Sequence, residues 1–376
     1  MAERVGEVAR LFLRLGVTGF GGRSAHVALM EDECVRVRRW VTREEFADML
    51  GAANVLPGPR STELAMMLGL RPAGWIGLVM TWVGFIAPAV VIVWMFAWWY
   101  GQAGRRPDEA AVLVGMQPVV VALVMQAVWR LGRSVVTGWM SGLIVVTSFV
   151  ALLVGVHELI VLVLASAIAM GVREGAHMRE RAALVAAAGL SAPAGVAALA
   201  VSGATVGGVF ASFLKIGCVV FGSGYVLLAF MRAEFVERHG WLTEAQPLDA
   251  IAIGQVTPGP VFSTATFVGS LLAGHAGAAT ASVGVFLPAF VFAAVSGVIV
   301  TRVRRSARAG AALDGVNAAS LALMAVAVVL LSRGVVSTPY GAAVAVTAFG
   351  VLMATRIGAA WLLLVGAAVG LLRGMV

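Results

Sequence analysis

Residues 46–62 read FADMLGAANVLPGPRST, and residues 247–263 read PLDAIAIGQVTPGPVFS. In each, a helical pattern runs into Pro-Gly-Pro (Pro57-Gly58-Pro59 or Pro258-Gly259-Pro260), and apolar sequence resumes after a few small polar residues. Proline removes a main-chain donor, and the first turn of a helix is where that donor has no partner to lose. Each motif therefore reads as the joint between two half-helices. The two motifs lie 201 residues apart, and the correspondence extends outward without a gap. Phe12-Leu13-Arg14-Leu15-Gly16 matches Phe213-Leu214-Lys215-Ile216-Gly217, and Phe20-Gly21-Gly22 matches Phe221-Gly222-Ser223. Glu33 matches Glu234, Trp40 matches Trp241, and Asp48 matches Asp249. After a one-residue slip, Pro88 meets Pro288 and Arg133 meets Arg333. About a third of the positions between Phe12 and Pro59 are identical to their counterparts, so the chain holds two copies of one module.

Composition sets the environment of that module. Of 376 residues, 60% are hydrophobic and 12% charged, against about 25% charged in a soluble domain. A soluble enzyme could not hide so much apolar surface. A helix crosses a bilayer in about 20 apolar residues. Runs that qualify or nearly do are Trp75–Tyr100, Ala111–Trp129, Trp139–Val156 and Leu159–Val172, then Ala276–Thr301, Val316–Ser332, Gly341–Thr355 and Ile357–Leu372. The stretch Ala182–Val201 reads as a span or a linker, so the division is 1–172, a linker over 173–204, and 205–376. The net charge of 27 − 19 = +8 lies mostly on arginines between apolar runs, which points to membrane topology and not to nucleic acid. Cys34 and Cys218 form no CxxC, and the five histidines have no metal spacing, so neither metal nor cofactor is expected. The N-terminus lacks a cleavable signal pattern, which suits a multi-pass protein of the cytoplasmic membrane surrounded by lipid.

Arginine counts orient the copies. Short cytoplasmic loops collect basic residues. Arg302, Arg304, Arg305 and Arg308 outnumber Arg105 and Arg106 in the equivalent loop, whereas Arg36, Arg38, Arg39 and Arg43 outnumber Arg232 and Arg238. Equivalent segments thus favour opposite sides. The expected fold is all-α, a polytopic transmembrane helical bundle of two inverted repeats with broken half-helices at the PGP motifs. Inverted repeats place a transporter's substrate at their interface.

The half-helix after each PGP would aim main-chain amides and partial positive charge at an anion. This makes Pro57, Gly58, Pro59, Arg60, Ser61, Pro258, Gly259, Pro260 and Ser263 candidate substrate-binding residues; a plain kink is the alternative. Phe20, Gly21, Gly22, Phe221 and Gly222 end the first helix of each copy, where glycine serves close approach to a ligand or a helix cap. Arg14 and Lys215 are equivalent cations among apolar neighbours, read either as counter-charges for the anion or as side chains that snorkel to the interface or pair with an acid such as Asp48 or Asp249. Glu63 is a proton carrier or a partner for Arg60. The segment Glu31–Glu45 reads as an interfacial helix.

With these motifs in order in both copies, the chain resembles the chromate transporter family. GQVTPGPVFSTATFVG (Gly254–Gly269) and the F-x-x-P of Phe85–Pro88 and F-L-P of Phe286–Pro288 are especially similar to it. The family's first motif has an acid after PGP where this chain has Arg60. The resemblance implies a secondary transporter exporting chromate, with sulfate as a competing or exchanged anion. The rival readings are a transporter of sulfate or another oxyanion and an anion channel. No nucleotide-binding or hydrolytic motif is present, so coupling would come from an ion gradient or anion exchange, and no enzyme is expected. A homodimer is permitted but not called for.

Overall fold

The computed structural model describes residues 2–20, 22–54, 56–103, 107–174, 204–221, 224–304, 307–355 and 357–374. Gly21, Gly222, the arginines at 105, 106 and 305, and nearly all of the expected linker lie outside them. Among the described residues every regular element is helical. The first half comprises α1 (Ala2–Thr18), α2 (Gly22–Glu31), α3 (Arg43–Ala53), α4 (Arg60–Ala103), α5 (Pro107–Val135), α6 (Trp139–Leu153) and α7 (Glu158–Glu174). The second comprises α8 (Val206–Val219), α9 (Val226–Met231), α10 (Gln246–Val256), α11 (Thr264–Arg304), α12 (Ala307–Val336), α13 (Pro339–Ala354) and α14 (Ala359–Gly374). The two series correspond one to one. The segments Arg60–Gly101, Ala111–Val135, Val261–Val295 and Arg308–Val336 are long and apolar enough to cross a membrane. Trp75, Trp139 and Trp361 stand out from helix ends at 63%, 77% and 69% exposure, as in the aromatic belts of membrane proteins.

α4 and α11 each double back. Gly74 has φ 59°, ψ −149°, and Gly274 has φ 60°, ψ −149°, a region open essentially to glycine. A Cβ added to Gly77 would lie 2.2 Å from the Gly69 carbonyl oxygen, and one added to Gly277 would lie 2.1 Å from that of Gly269. In a straight helix such residues would stand about 12 Å apart, so the two arms meet glycine to glycine. The short arm of α4, residues 60–73, is about 20 Å long, and the long arm, 75–103, is about 40 Å. Against a hydrocarbon core of about 30 Å, the long arm is long enough to cross and the short arm is not.

Arg71, near the end of the short arm, pairs with Glu45 in the first turn of α3 at 3.4 Å. α3, the PGP turn and the short arm therefore form a re-entrant hairpin with PGP at its tip. α3 starts at a capping box, in which the Thr42 side chain accepts from the Glu45 N–H at 3.1 Å while the Glu45 carboxylate accepts from the Thr42 N–H at 2.9 Å. The two long arms pack antiparallel: Trp94 Nε1 donates to His275 Nδ1 at 3.0 Å, while Trp82 and Phe290 rings lie 5.5 Å apart. α1 rests on the long arm of α4 through Gly16, where an added Cβ would be 2.7 Å from the Gly84 carbonyl oxygen. Gly217 of α8 does the same against Val285 at 2.6 Å.

One expectation is corrected. Residues 31–45 form no continuous interfacial helix: α2 runs into a π-helical stretch, Asp32–Val37, and Arg39 turns the chain at φ 53° before α3 begins. The same π geometry recurs at Arg232–Arg238. The wider turn carries Glu33 and Glu234 inward to arginine and lysine partners, which a regular amphipathic surface helix would not do.

Candidate functional site

The two PGP tips are locked reciprocally. Gly58 N–H donates to the Val220 carbonyl at 2.7 Å, and Gly259 N–H donates to the Gly19 carbonyl at 3.0 Å. An offset of 201 turns Gly58 of the first bond into Gly259 of the second, and Gly19 of the second into Val220 of the first, so the two bonds exchange as contacts do across a two-fold axis. Each tip thus seats at the end of the first helix of the other half. Gly58 and Gly259 hold φ at 119° and 89°. A Cβ added to Gly58 would lie 3.5 Å from Ala289 Cβ, and one added to Gly259 would lie 2.8 Å from Ala89 Cβ. Both alanines directly follow the mid-helix prolines, Pro288 and Pro88. His26, on α2, donates from Nε2 to the same Gly19 carbonyl at 2.8 Å, bracing that end of the arrangement.

Behind each tip a helix begins. The Pro59 carbonyl accepts from Thr62 and Glu63 N–H at 2.8 and 3.1 Å, and the Pro260 carbonyl accepts from Ser263 N–H at 2.9 Å. Pro59, Pro258 and Pro260 are buried, while Pro57 and Arg60 are half-buried. Ser61 is also buried, at 8% exposure, and Thr62, Glu63, Ser263 and Thr264 are wholly buried. The Thr62 and Ser263 hydroxyls, equivalent at the 201 offset, both lack a hydrogen-bond partner, and so do both Glu63 carboxyl oxygens. Buried polar atoms without a partner are rare and costly, about 1–3 kcal/mol each. Two equivalent hydroxyls beside two helix N-termini are thus left with hydrogen-bonding capacity unused. The sequence candidates were Ser61 and Ser263; at the repeat offset the counterpart of Ser263 is Thr62.

The cations lie in two carboxylate knots. Arg14 pairs with Glu33, which also holds Arg38, and Arg38 reaches Glu7 at 3.2 Å. Lys215 pairs with Glu234, which also holds Arg238, and Arg238 reaches Glu158 of the first half at 2.9 Å. Burial would raise the Glu234 carboxyl, but the hydrogen bond and charge of Lys215, with Arg238 and Ser212, outweigh it and hold it below its ordinary value. Burial would likewise lower Arg238, yet Glu158 and Glu234 keep it above the ordinary arginine value. Asp48 and Asp249 are not these partners. Asp48 is exposed, whereas Asp249 is buried and accepts from Tyr100 OH at 3.0 Å and Gln117 Nε2 at 2.9 Å. Phe20 is 53% exposed, Phe221 is half-buried, and Gly22 opens α2. Among the described residues no three acidic, histidine or cysteine side chains gather as a metal site.

No solved structure matches the chain. Among curated proteins, it is 32% identical over 335 residues to the chromate transport protein of Pseudomonas aeruginosa, covering 86% of this chain and 80% of that one. It is 30% identical to the probable chromate transport protein of Synechococcus elongatus, over 87% of this chain and 84% of the relative. Identity to the chromate transport protein of Cupriavidus metallidurans is also 30%, over 89% and 84%. A sequence model described as "Chromate transporter" matches residues 6–172 and 207–371, so it takes in both PGP tips and both ion-pair knots. By the extent of these matches this multi-pass, all-helical membrane protein belongs to the chromate transporter family.

Proposed function

We propose that this chain is a secondary transporter that exports chromate from the bacterial cytoplasm across the inner membrane, through a site between its two PGP tips. The reciprocal seating of the tips, each against the other half, carries the reading. It brings two helix N-termini, each with roughly half a positive charge, and two unpartnered hydroxyls to one interface. A tetrahedral dianion offers four acceptor oxygens to such donors. Arg60, in the first turn of α4, adds a full positive charge, and Arg14 and Lys215 lie on the two helices whose ends seat the tips. Antiparallel packing of the equivalent long arms supports reading residues 1–172 and 205–376 as repeats inverted in the membrane, the arrangement that permits alternating access. Coupling is to an ion gradient or to anion exchange. The membrane potential itself assists, because each charge moved across 100 mV is worth about 2.3 kcal/mol and a dianion leaves a negative interior downhill.

Sulfate is the alternative substrate, having the same shape and charge, and the arginine that follows the first PGP is the feature that favours weighing it. Everted membrane vesicles separate the two. Energised vesicles holding this protein should accumulate chromate, and added sulfate should reduce that accumulation. Vesicles with confirmed protein that take up labelled sulfate but no chromate would reject the assigned substrate and retain the site.

A further inference from the structure

Glu63 is the charged-type side chain at the tips that the oxyanion site does not use. It lies in the first turn of α4, wholly buried, with both carboxyl oxygens lacking a hydrogen-bond partner. It faces the turn: a Cβ on Gly58 would lie 2.8 Å from Glu63 Oε1. Arg60, on the same helix, is the charge that acts on it. The second half meets this tip with the main-chain carbonyl of Val220 and the methyl of Ala289. The equivalent residue behind the other tip is Thr264, whose hydroxyl donates to the Val261 carbonyl at 2.5 Å. The pseudo-symmetric site therefore has a titratable group on one side only.

An ionised carboxyl enclosed this way, without donors, costs several kcal/mol. A dianion bound at the same tips would add repulsion, which is strong in a water-poor interior. Each term disappears when the acid holds a proton. Proton and oxyanion then raise each other's affinity by the same factor, as linkage requires.

We propose that Glu63 is a proton site, taking one proton from the aqueous phase and carrying it through the occluded state together with the oxyanion, so that the two cross in the same direction; the pair then carries one net negative charge, which the membrane potential drives outward while an inward proton gradient opposes it. This rests on the oxyanion-transport reading above.

The test uses purified full-length protein in liposomes, with the potential clamped at zero by potassium and valinomycin, and chromate at alkaline pH on both sides so that it is the dianion. A gradient of one pH unit should concentrate chromate about tenfold on the alkaline side in the wild type, at one proton per anion. Glu63→Gln, which mimics the protonated acid, should still exchange internal for external chromate but should concentrate none. Glu63→Asp should restore part of the response to the gradient. Wild-type exchange that ignores the pH gradient would overturn the inference while leaving the transport reading intact. So would gradient-driven accumulation by Glu63→Gln. Loss of exchange by Glu63→Gln at normal abundance and melting temperature would also overturn it, since the carboxyl would then serve binding. Wild-type protein that exchanges no chromate would remove the transport reading beneath it.

Discussion

Lys215 and Glu234 are where a single charge has two possible duties. Lys215 is 30% exposed at its side chain and Glu234 only 4%, so the lysine has an open side beyond its carboxylate partner. Removing one member of a buried pair costs about 3–5 kcal/mol, but Glu234 keeps Arg238, and His239 lies 3.6 Å away. Lys215→Met, at normal membrane abundance, should lose most chromate uptake in everted vesicles, while Lys215→Arg keeps a substantial part. The double variant Lys215→Met, Glu234→Gln should stay inactive; recovery would show that Lys215 serves only to hold Glu234. The same acid sets a pH dependence. Because its value is depressed in the folded protein, its contribution to stability is complete above the ordinary glutamate value of 4.5 and is lost as pH falls through the lower folded value. Melting temperature of the detergent-solubilised protein should therefore fall less on acidification in Glu234→Gln than in wild type.

Among elements, the re-entrant hairpins depend on glycines for different reasons. Gly58 and Gly259 combine positive φ with contact. Alanine at either position should cost about 1–3 kcal/mol for the backbone alone and should displace the tip from its seat. Gly58→Ala and Gly259→Ala are expected to abolish transport. Gly74 has nothing within 4 Å of an added Cβ. Gly74→Ala should show the conformational cost without the collision, lowering the melting temperature while a correctly folded fraction still transports. Equal loss of specific transport in all three variants would mean that tip placement is not what the Gly58 and Gly259 substitutions disturb. The helices themselves were legible beforehand: the eight apolar runs map one to one onto α4 to α7 and α11 to α14, three of them overrunning a helix end by one to three residues. The hairpin turns were not, because Gly74 and Gly274 sit inside continuous helical patterns and only the touching of Gly69 with Gly77 shows the reversal.

For the whole molecule, the testable property is sidedness. Gly101, near the end of the long arm of α4, and Arg308, at the start of α12, flank equivalent connections of the two halves. In a chain freed of the native cysteines, which are buried Cys34 and exposed Cys218, single cysteines at 101 and 308 should react with impermeant reagents from opposite faces. The arginine counts put 308 in the cytoplasm. Labelling of both from one face would reject inversion and, with it, a site reached alternately from the two sides by related motions.

What the amino-acid sequence determined by itself is whatever local chemistry or self-comparison encodes. Apolar runs of membrane length specify spanning helices because the bilayer core leaves main-chain groups no other partner. The doubled Phe-Gly and PGP motifs specify two copies of one module, and Pro-Gly-Pro specifies a break, which the lone prolines at 88 and 288 do not. Tertiary structure alone decided which surfaces those breaks meet. Nothing in LPGPRST names Val220, and nothing near Phe221 names Gly58; their hydrogen bond exists because two hairpins pack about a common axis. The partners of Arg14 and Lys215 were likewise undecided, since Glu33, Asp48 and their counterparts all lie within folding reach. Glu33 and Glu234 sit in π-helical turns, invisible to any 3.6-residue pattern, whereas Asp48 lies at the surface of α3. Burial made Glu63 distinctive for the same reason: its neighbours come from packing, and a carboxyl's chemistry is set by what surrounds it.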